Sequence, residues 1–193
     1  MPLGLRLATP TDAAGCLAIY RPFVESSHTT FETEVPAADE FAGRIEKYSR
    51  TYPWIVATDG GRIVGYAYAS PFNNRAAYQW TAEVSVYVAA DARGRGLGRT
   101  LYTALLRCLS NQGYINAVGL IAQPNQASVS LHEAMGFERV AFLPSPGFKL
   151  GRWHDVGWWW LTLRPVPEQP SPPRPLCECR ADAERWIREI PSP

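Results

Sequence analysis

One stretch of the chain, a strand followed by a glycine-rich loop and a helix, limits the possible folds more than any other. Residues 80–89 alternate between two kinds of side chain, as a β-strand with two different faces does. The sequence Arg93-Gly-Arg-Gly-Leu-Gly98 follows, and residues 99–112 have a helical pattern that Gly113 ends. A strand that turns through glycines into a helix predicts an α/β domain.

The glycine-rich loop has the properties of a phosphate-binding turn. Glycines let the backbone turn sharply and approach a ligand closely, and the helix that follows presents free N–H groups and a positive dipole end. Arg93 and Arg95 can add charge-assisted hydrogen bonds to phosphate oxygens. The loop is neither a Walker loop nor a dinucleotide fingerprint, because the required Gly-Lys-Ser/Thr and the third glycine are missing. From the pattern alone, a loop that only makes a turn stays an open alternative.

The segments around this unit supply the other elements of the domain. β-rich runs at residues 54–58 and 62–70 flank Asp59-Gly-Gly61, which is a typical hairpin turn. Together the segments predict a mixed central sheet flanked by helices. The other predicted strands are residues 5–8, 117–122, 137–142 and 156–163, and the other predicted helices are residues 11–20, residues 39–50 and one that begins at Asn125 and ends at Gly136.

The proline distribution predicts one domain and a tail. Of the 17 prolines among 193 residues, 8 fall between Pro165 and the last residue. We therefore place the domain at residues 1–164 and a Pro-rich tail at residues 165–193, with a short helix at residues 180–190 that either docks on the domain or stays loose.

Composition excludes several classes of protein. With 19 Lys+Arg against 18 Asp+Glu, the formal charge is +1, so no long-range field attracts nucleic acid or an anionic membrane surface. There is no long apolar run and no secretory leader pattern at the start of the sequence, so we expect a cytoplasmic protein without a membrane segment. The four cysteines are expected to be reduced thiols. The Cys177/Cys179 pair lacks nearby ligands for a metal, and no metal is expected.

The glycine-rich loop resembles the Arg-x-x-Gly-x-Gly acyl-CoA loop of the GNAT superfamily of N-acetyltransferases. The resemblance runs from Leu5 to Leu163 and implies the GNAT acyl-CoA N-acyltransferase fold. Within the superfamily, the chain looks like the phosphinothricin N-acetyltransferase branch and is also similar to methionine sulfoximine N-acetyltransferases. The segments that carry this narrower likeness are Tyr52-Pro-Trp54, Tyr78-Gln-Trp-Thr-Ala-Glu83, Leu131-His-Glu-Ala-Met-Gly-Phe137 and Phe148-Lys-Leu-Gly-Arg-Trp-His-Asp-Val-Gly157.

The resemblance implies acetyl-CoA as cosubstrate. The pantetheine arm would take main-chain hydrogen bonds from the strand before the loop, and the pyrophosphate would meet the loop itself. Asn125 matches a position that hydrogen-bonds the CoA arm in relatives, and a plain helix N-cap is the compatible alternative. The implied cofactor-binding residues are Val86, Tyr87, Val88, Arg93, Gly94, Arg95, Gly96, Leu97, Gly98 and Asn125.

Two residues are candidates for proton transfer. Glu83 lies in an apolar, aromatic-rich strand where desolvation would raise its pKa, and the resemblance assigns the general base to this position. The alternative is that Glu83 has no catalytic role and faces solvent or pairs with an arginine, as many strand glutamates do. His132 titrates near neutral pH and occupies the position where most of the superfamily has a tyrosine that is thought to protonate the CoA thiolate. The alternative is that His132 is a surface or capping residue without a catalytic role. Whether Glu83 or His132 is the main base stays open.

The acceptor site is assigned by the resemblance to Arg75, Tyr78, Phe31 and Lys149. A guanidinium suits a carboxylate or phosphinate, and Lys149 would add positive charge. Glu32 stands where relatives that act on phosphinothricin tend to carry Arg, and Asn73 and Asn74 replace bulkier or basic groups. An acid at position 32 would repel an anionic acceptor, so the identity of the acceptor stays open.

The leading hypothesis is an acetyl-CoA-dependent N-acetyltransferase that acetylates the amine of a small amino acid or analogue by direct transfer in a ternary complex. A protein N-terminal or lysine acetyltransferase and a non-catalytic acyl-CoA-binding regulatory module are the alternatives. The resemblance also implies a homodimer and a link to antibiotic or herbicide resistance. His154, in an aromatic segment near the last strands, is interpreted as structural.

Overall fold

A computed structural model describes residues 3–191, and within them a mixed seven-stranded sheet forms the centre of the molecule. The strand order is β1-β2-β3-β4-β5-β7-β6, and only the β4–β5 pair is parallel. The strands are β1 (Gly4–Leu7), β2 (Trp54–Asp59), β3 (Arg62–Pro71), β4 (Thr81–Val88), β5 (Asn116–Ala122), β6 (Glu138–Lys149) and β7 (Arg152–Thr162). The helices are α1 (Ala13–Ser26), α2 (Ala38–Tyr48), α3 (Leu97–Gln112), α4 (Gln126–Ala134) and α5 (Leu176–Arg188).

The two faces of the sheet carry separate hydrophobic clusters. One cluster joins α1 and α2 to side chains such as Trp54 and Tyr66, and the other joins α3 and α5 to side chains such as Ala67 and Val84. Successive residues of a strand point to opposite faces, so each central strand contributes to both clusters. The predicted alternation of β4 is confirmed, because Val84 packs with α3 while Tyr87 packs with α1.

Most predicted elements are confirmed, but the predicted end of α1, end of β6 and start of β7 are wrong. Helix α1 continues six residues beyond Tyr20, because Pro22 is accommodated inside it. Strands β6 and β7 extend to Lys149 and from Arg152, well beyond the predicted ends at 142 and 156. Pro144 and Pro146 lack the main-chain N–H that a paired strand uses. The strand continues past them with a register shift in its pairing with β7 between Leu143 and Gly147, where the Ser145 N–H donates to the Asp155 carboxylate at 2.8 Å.

The C-terminal segment docks on the sheet and does not stay loose. Its helix begins at Leu176 and ends at Arg188, earlier at both ends than the predicted 180–190, and it packs against α3 and β1. Leu176, Ala183 and Ile187 are buried in the same core as α3. The extended part before it is held by Gln112, whose amide donates to the Arg174 carbonyl at 2.8 Å.

The cysteines carry free thiols. Cys16, Cys108 and Cys179 are buried, and Cys177 is exposed. Burial raises the pKa of the Cys108 thiol to about 12, so this thiol stays protonated and unreactive near neutral pH. Within residues 3–191, no helix has the length and apolar character that a membrane span needs.

Candidate active site

The site begins where two parallel strands separate. β4 and β5 pair only over Thr81–Glu83 and Asn116–Val118. Beyond this point, residues 84–88 pair with β3 on one side, and residues 119–122 pair with β7 on the other. The facing edges of the two strands therefore leave main-chain N–H and C=O groups available to a ligand that enters between them.

A cavity of about 610 Å³ runs from this opening toward the glycine-rich loop. Val86 and Val88 form its floor, Phe23 and Thr29 from α1 and the following loop form one wall, and the start of α4 forms the other. The cavity is mainly apolar near β4 and ends at the loop and the first turn of α3. An extended ligand with an anionic end would fit this distribution of surfaces.

The loop adopts a conformation that depends on glycine. Gly94 and Gly96 have φ angles of 73° and 76°, which L side chains rarely adopt. Gly96 is the N-cap of α3, so the first N–H groups of a helix of 16 residues point into the cavity end. The loop therefore has the backbone conformation expected of a phosphate-binding turn.

The arginines of the loop do not all face the cavity. Arg93 lines it, donating from Nε to the Val88 carbonyl at 3.3 Å and lying 5.2 Å above the Phe23 ring. Arg99, which the sequence pattern did not single out, also lines the cavity. Arg95 lies 3.7 Å from the Asp59 carboxylate, away from the lining residues. Two cations, Arg93 and Arg99, are therefore positioned to meet an anion at the loop.

Asn125 and Tyr87 serve the site in different ways. The Asn125 side chain accepts from the Ser128 N–H at 3.2 Å, so it caps α4, and it also lines the cavity. The Tyr87 side chain points to the opposite face of the sheet and stacks on Tyr66 with ring centroids 5.3 Å apart. Only the main chain of Tyr87 is thus available on the edge facing β5.

Glu83 is the last residue of β4 that pairs with β5 before the strands separate. It is half-buried and projects to the face that also carries Ser85 and Tyr87. Burial raises the pKa of its carboxyl above the ordinary value. A carboxylate with a raised pKa is a stronger base, as proton abstraction from an ammonium group requires.

His132 lies in the small cleft between the separated strands, buried to 3% exposure. Its Nδ1 is 2.8 Å from the Ser128 carbonyl, which can only accept, so Nδ1 carries the proton and donates. Nε2 then has a lone pair and accepts from the Tyr102 hydroxyl at 3.0 Å. Burial lowers the pKa of His132, so the ring is neutral at neutral pH.

Two residues that sequence reasoning missed hold His132 in place. Tyr102 extends from α3 into the cleft, and its hydroxyl is also 3.5 Å from the Val84 carbonyl. Gly119 lies under the ring, where an added Cβ would be 2.3 Å from His132 Nε2. Nothing in a helix sequence distinguishes Tyr102 from a core tyrosine, and the need for Gly119 appears only when α4 is packed on β5.

The predicted acceptor residues fall into two groups. Phe31 packs on the Gly147 backbone, where an added Cβ would be 2.3 Å from the ring, so Phe31 meets the strand that carries Lys149. Lys149 is buried, and its Nζ donates to the Phe23 and Thr30 carbonyls at 3.2 and 2.8 Å. Its ammonium group thus fastens the segment after α1 to β6, and burial lowers its pKa.

Arg75 and Tyr78 lie on the exposed connection between β3 and β4. Tyr78 packs edge-on against Phe72, with ring centroids 5.6 Å apart. Glu32 lies on the segment after α1 and forms an ion pair with Arg44 at 2.6 Å. The negative charge that sequence analysis placed near the acceptor is therefore partly neutralised by Arg44.

His154 has structural contacts. It is buried, its Nε2 lies 3.0 Å from the Lys149 carbonyl, and its ring stacks on His28 at 4.5 Å. His28 in turn contacts the Pro124 carbonyl at 2.9 Å. This stack joins the segment after α1 to β7, in keeping with the structural interpretation of His154.

Residues 5–158 match the acetyltransferase (GNAT) domain. The chain belongs to the GNAT acetyltransferase family. The predicted family and fold are thereby confirmed, and the chain is an acetyl-CoA-dependent N-acetyltransferase.

Several members of the family are similar over most of their length. A phosphinothricin N-acetyltransferase from Streptomyces viridochromogenes is 41% identical over 91% of this chain and 93% of its own. An L-methionine sulfoximine/L-methionine sulfone acetyltransferase from Pseudomonas paraeruginosa is 36% identical over 88% of this chain and 100% of its own. A phosphinothricin acetyltransferase from Sinorhizobium meliloti, solved with acetyl-CoA, has a TM-score of 0.82 and 35% identity, covering 89% of this chain and 94% of its own.

The protonation state of His132 can be tested directly by ¹⁵N NMR of the imidazole groups. We expect a neutral ring with the proton on Nδ1 at pH 7, titrating below the ordinary histidine range because burial lowers the pKa. In Tyr102→Phe the Nε2 resonance should move to higher frequency, since its hydrogen-bond donor is gone. Tyr114→Phe, at a buried tyrosine that does not line the cleft, is the matched control.

A His132 ring that is doubly protonated at pH 7 would contradict this assignment, as would a proton on Nε2. His132→Asn identifies the resonances among the three histidines.

Proposed function

We propose that the protein transfers the acetyl group of acetyl-CoA to the α-amine of a small amino acid or amino-acid analogue, of the phosphinothricin or methionine sulfoximine type. The observation that carries this proposal is the place of Glu83, a half-buried residue at the point where β4 leaves β5, three residues before Val86, which lines the cofactor cavity. The names of the relatives support the acceptor class. Use of acetyl-CoA, a metabolite of the cell interior, favours a cytoplasmic location.

In the proposed reaction, Glu83 accepts a proton from the acceptor's ammonium group, directly or through water. The neutral amine then forms a C–N bond with the thioester carbonyl carbon, the C–S bond breaks, and the nitrogen releases a second proton, which balances the proton that the CoA thiolate takes up. The departing thiolate needs a proton, and the Tyr102–His132 pair lies in the cleft where the strands separate. Unpaired main-chain N–H groups on the β4 edge are available to the carbonyl oxygen as its charge develops.

The cofactor-binding role is proposed for the residues that surround the larger cavity. The main chain of residues 86–88 would receive the pantetheine arm, and residues 93–98 with Arg99 would receive the pyrophosphate. Asn125 would contact the arm at the start of α4. No metal takes part in this scheme, because an amine and a thioester react without a Lewis acid once the amine is deprotonated.

The acceptor's carboxylate would be bound by Arg75, with Tyr78 and Phe31 as the neighbouring surfaces. Arg75 lies on an exposed connection, so its guanidinium can reach an incoming carboxylate. Lys149 would act indirectly, because its ammonium group binds the Thr30 carbonyl and so positions the segment that carries Phe31.

CoA release measured with acetyl-CoA and a panel of phosphinothricin, methionine sulfoximine and the common amino acids tests this function. Glu83→Gln should lower kcat/KM by about 10²–10⁴-fold, the usual worth of a general base. Glu138→Gln, an exposed position at the start of β6, is the matched control.

The pH profile gives a second readout. Burial raises the pKa of Glu83, so this base becomes protonated at a higher pH than an ordinary Glu. As the pH is lowered, kcat/KM should therefore begin to fall at a higher pH than the pKa of an ordinary Glu predicts. Full activity of Glu83→Gln would contradict the proposed role of Glu83 as the general base. Binding of acetyl-CoA without turnover of any acceptor would contradict the small-molecule function.

We also propose that the chain forms a homodimer through the hairpin of β6 and β7. This hairpin exposes a group of apolar side chains that a partner subunit would shield from water, namely Val140, Phe142, Phe148, Leu150 and Trp153. Such a patch is typical of an interface between subunits.

Light scattering of the purified protein tests the dimer. The wild type should have twice the mass of one chain, and Leu150→Ser/Trp153→Ser should shift it toward the monomer. Val166→Ser, at an exposed apolar residue outside the hairpin, should have no effect. A monomeric wild type at micromolar concentration would contradict the proposal.

A further inference from the structure

A second cavity lies under α2, apart from the cofactor cavity. Its volume is about 520 Å³, and we refer to it as the α2 cavity. Its floor consists of aromatic rings on β2 and β3, where Trp54 stacks on Tyr68 with centroids 4.2 Å apart. Its lining residues are Tyr20, Glu32, Glu40, Phe41, Gly43, Arg44, Lys47, Tyr48, Trp54, Tyr66 and Tyr68.

The floor of the α2 cavity continues to the proposed base. In the β3–β4 register, Tyr68 lies opposite Ser85 and Ser70 lies opposite Glu83. Residues two apart on a strand share a face, so Tyr68, Ser85 and Glu83 project to the same side of the sheet. Neighbouring strands are about 4.8 Å apart, which places Trp54 on β2 about 10 Å from β4. An acceptor whose amine is at Glu83 can therefore extend its side chain across Tyr68 into the cavity.

One glycine keeps the wall of the cavity open. Gly43 is in the interior of α2, where glycine is unfavourable compared with alanine. A Cβ built on it meets no atom within 4 Å, so close packing does not explain the glycine. Gly43 lies between Glu40 and Lys47 on the helix surface that borders the cavity, so a larger side chain there would extend over the opening.

The polar groups of the cavity indicate which side chains it accepts. Arg44 is already paired with Glu32 and with Glu40, each at 2.6 Å, so its guanidinium is not free for an anionic group. Tyr66, which is 1% exposed, also lines the cavity and stacks on Trp54 with ring centroids 5.8 Å apart. A flat, uncharged side chain suits the stacked rings of this floor.

We propose that the α2 cavity binds the side chain of the acceptor and that uncharged aromatic amino acids are preferred over acidic or very small ones. This inference rests on the proposed function and narrows its acceptor. Glu83 meets the amine, and the rings of Tyr68 and Trp54 stack with the aromatic side chain.

The test compares L-phenylalanine, L-tyrosine and L-tryptophan with L-alanine and L-glutamate as acceptors. In the wild type, kcat/KM for the aromatic acceptors should exceed that for the other two by about 10-fold or more, the usual worth of a filled apolar pocket. Gly43→Leu should raise KM for the aromatic acceptors by about 10-fold while kcat/KM for L-alanine changes by less than about 2-fold.

Glu46→Leu introduces the same side chain one turn along α2, outside the cavity lining, and should leave both classes of acceptor unchanged. Gly43→Gln is the second variant if leucine impairs folding. Calorimetry with L-phenylalanine and the CoA-bound protein measures the same preference without turnover, and Gly43→Leu should weaken that binding.

The outcomes separate this inference from the proposed function. If small amino acids turn over with no aromatic preference, or if Gly43→Leu affects L-alanine and L-phenylalanine equally, the side-chain cavity is overturned and the acetyltransferase function stands. If no acceptor turns over but L-phenylalanine binds and Gly43→Leu weakens it, the cavity stands and the proposed reaction fails. If none binds or turns over, both are overturned.

Discussion

The separation of β4 from β5 is the constraint on which the rest of the site depends. Three residue pairs hold the strands together and fix the angle at which they part. Both strands are fully paired on their outer sides, with β3 and β7, so the opening is rigid even though its edges are unpaired. The glycine loop, the first turn of α3 and the start of α4 are all positioned around this opening. A sheet that stayed closed would leave no room for an acyl group next to a base.

Burial acts on Glu83 and His132 in opposite directions, and this gives the two groups different states at one pH. Desolvation raises the pKa of the carboxyl and lowers that of the imidazole, because in each case it disfavours the charged form. At neutral pH the carboxylate can still accept a proton, while the imidazole is neutral and held by Ser128 and Tyr102. The site thereby holds a carboxyl, the base of the proposed reaction, on one face of β4 and a neutral hydrogen-bonded pair in the cleft.

Much of this arrangement could be predicted from the sequence, because strand alternation, helix periodicity and glycine turns are local signals. The alternation of β4 and the loop at residues 93–98 are examples. The length of β6 could not be predicted, since its prolines read locally as a loop and only pairing with β7 overrides them. Tyr102, Gly119 and Gly43 also escaped prediction. Their roles arise from contacts between elements that are distant in sequence, and the residue types alone are ordinary in a helix or a strand.

A crystal structure of the protein with acetyl-CoA bound would show whether the opening between β4 and β5 receives the cofactor. We expect the pantetheine arm along residues 86–88, the pyrophosphate at residues 93–98, and the thioester beside the Tyr102–His132 pair. A cofactor bound away from the opening, or an opening closed by pairing of β4 with β5 beyond Glu83, would contradict this expectation.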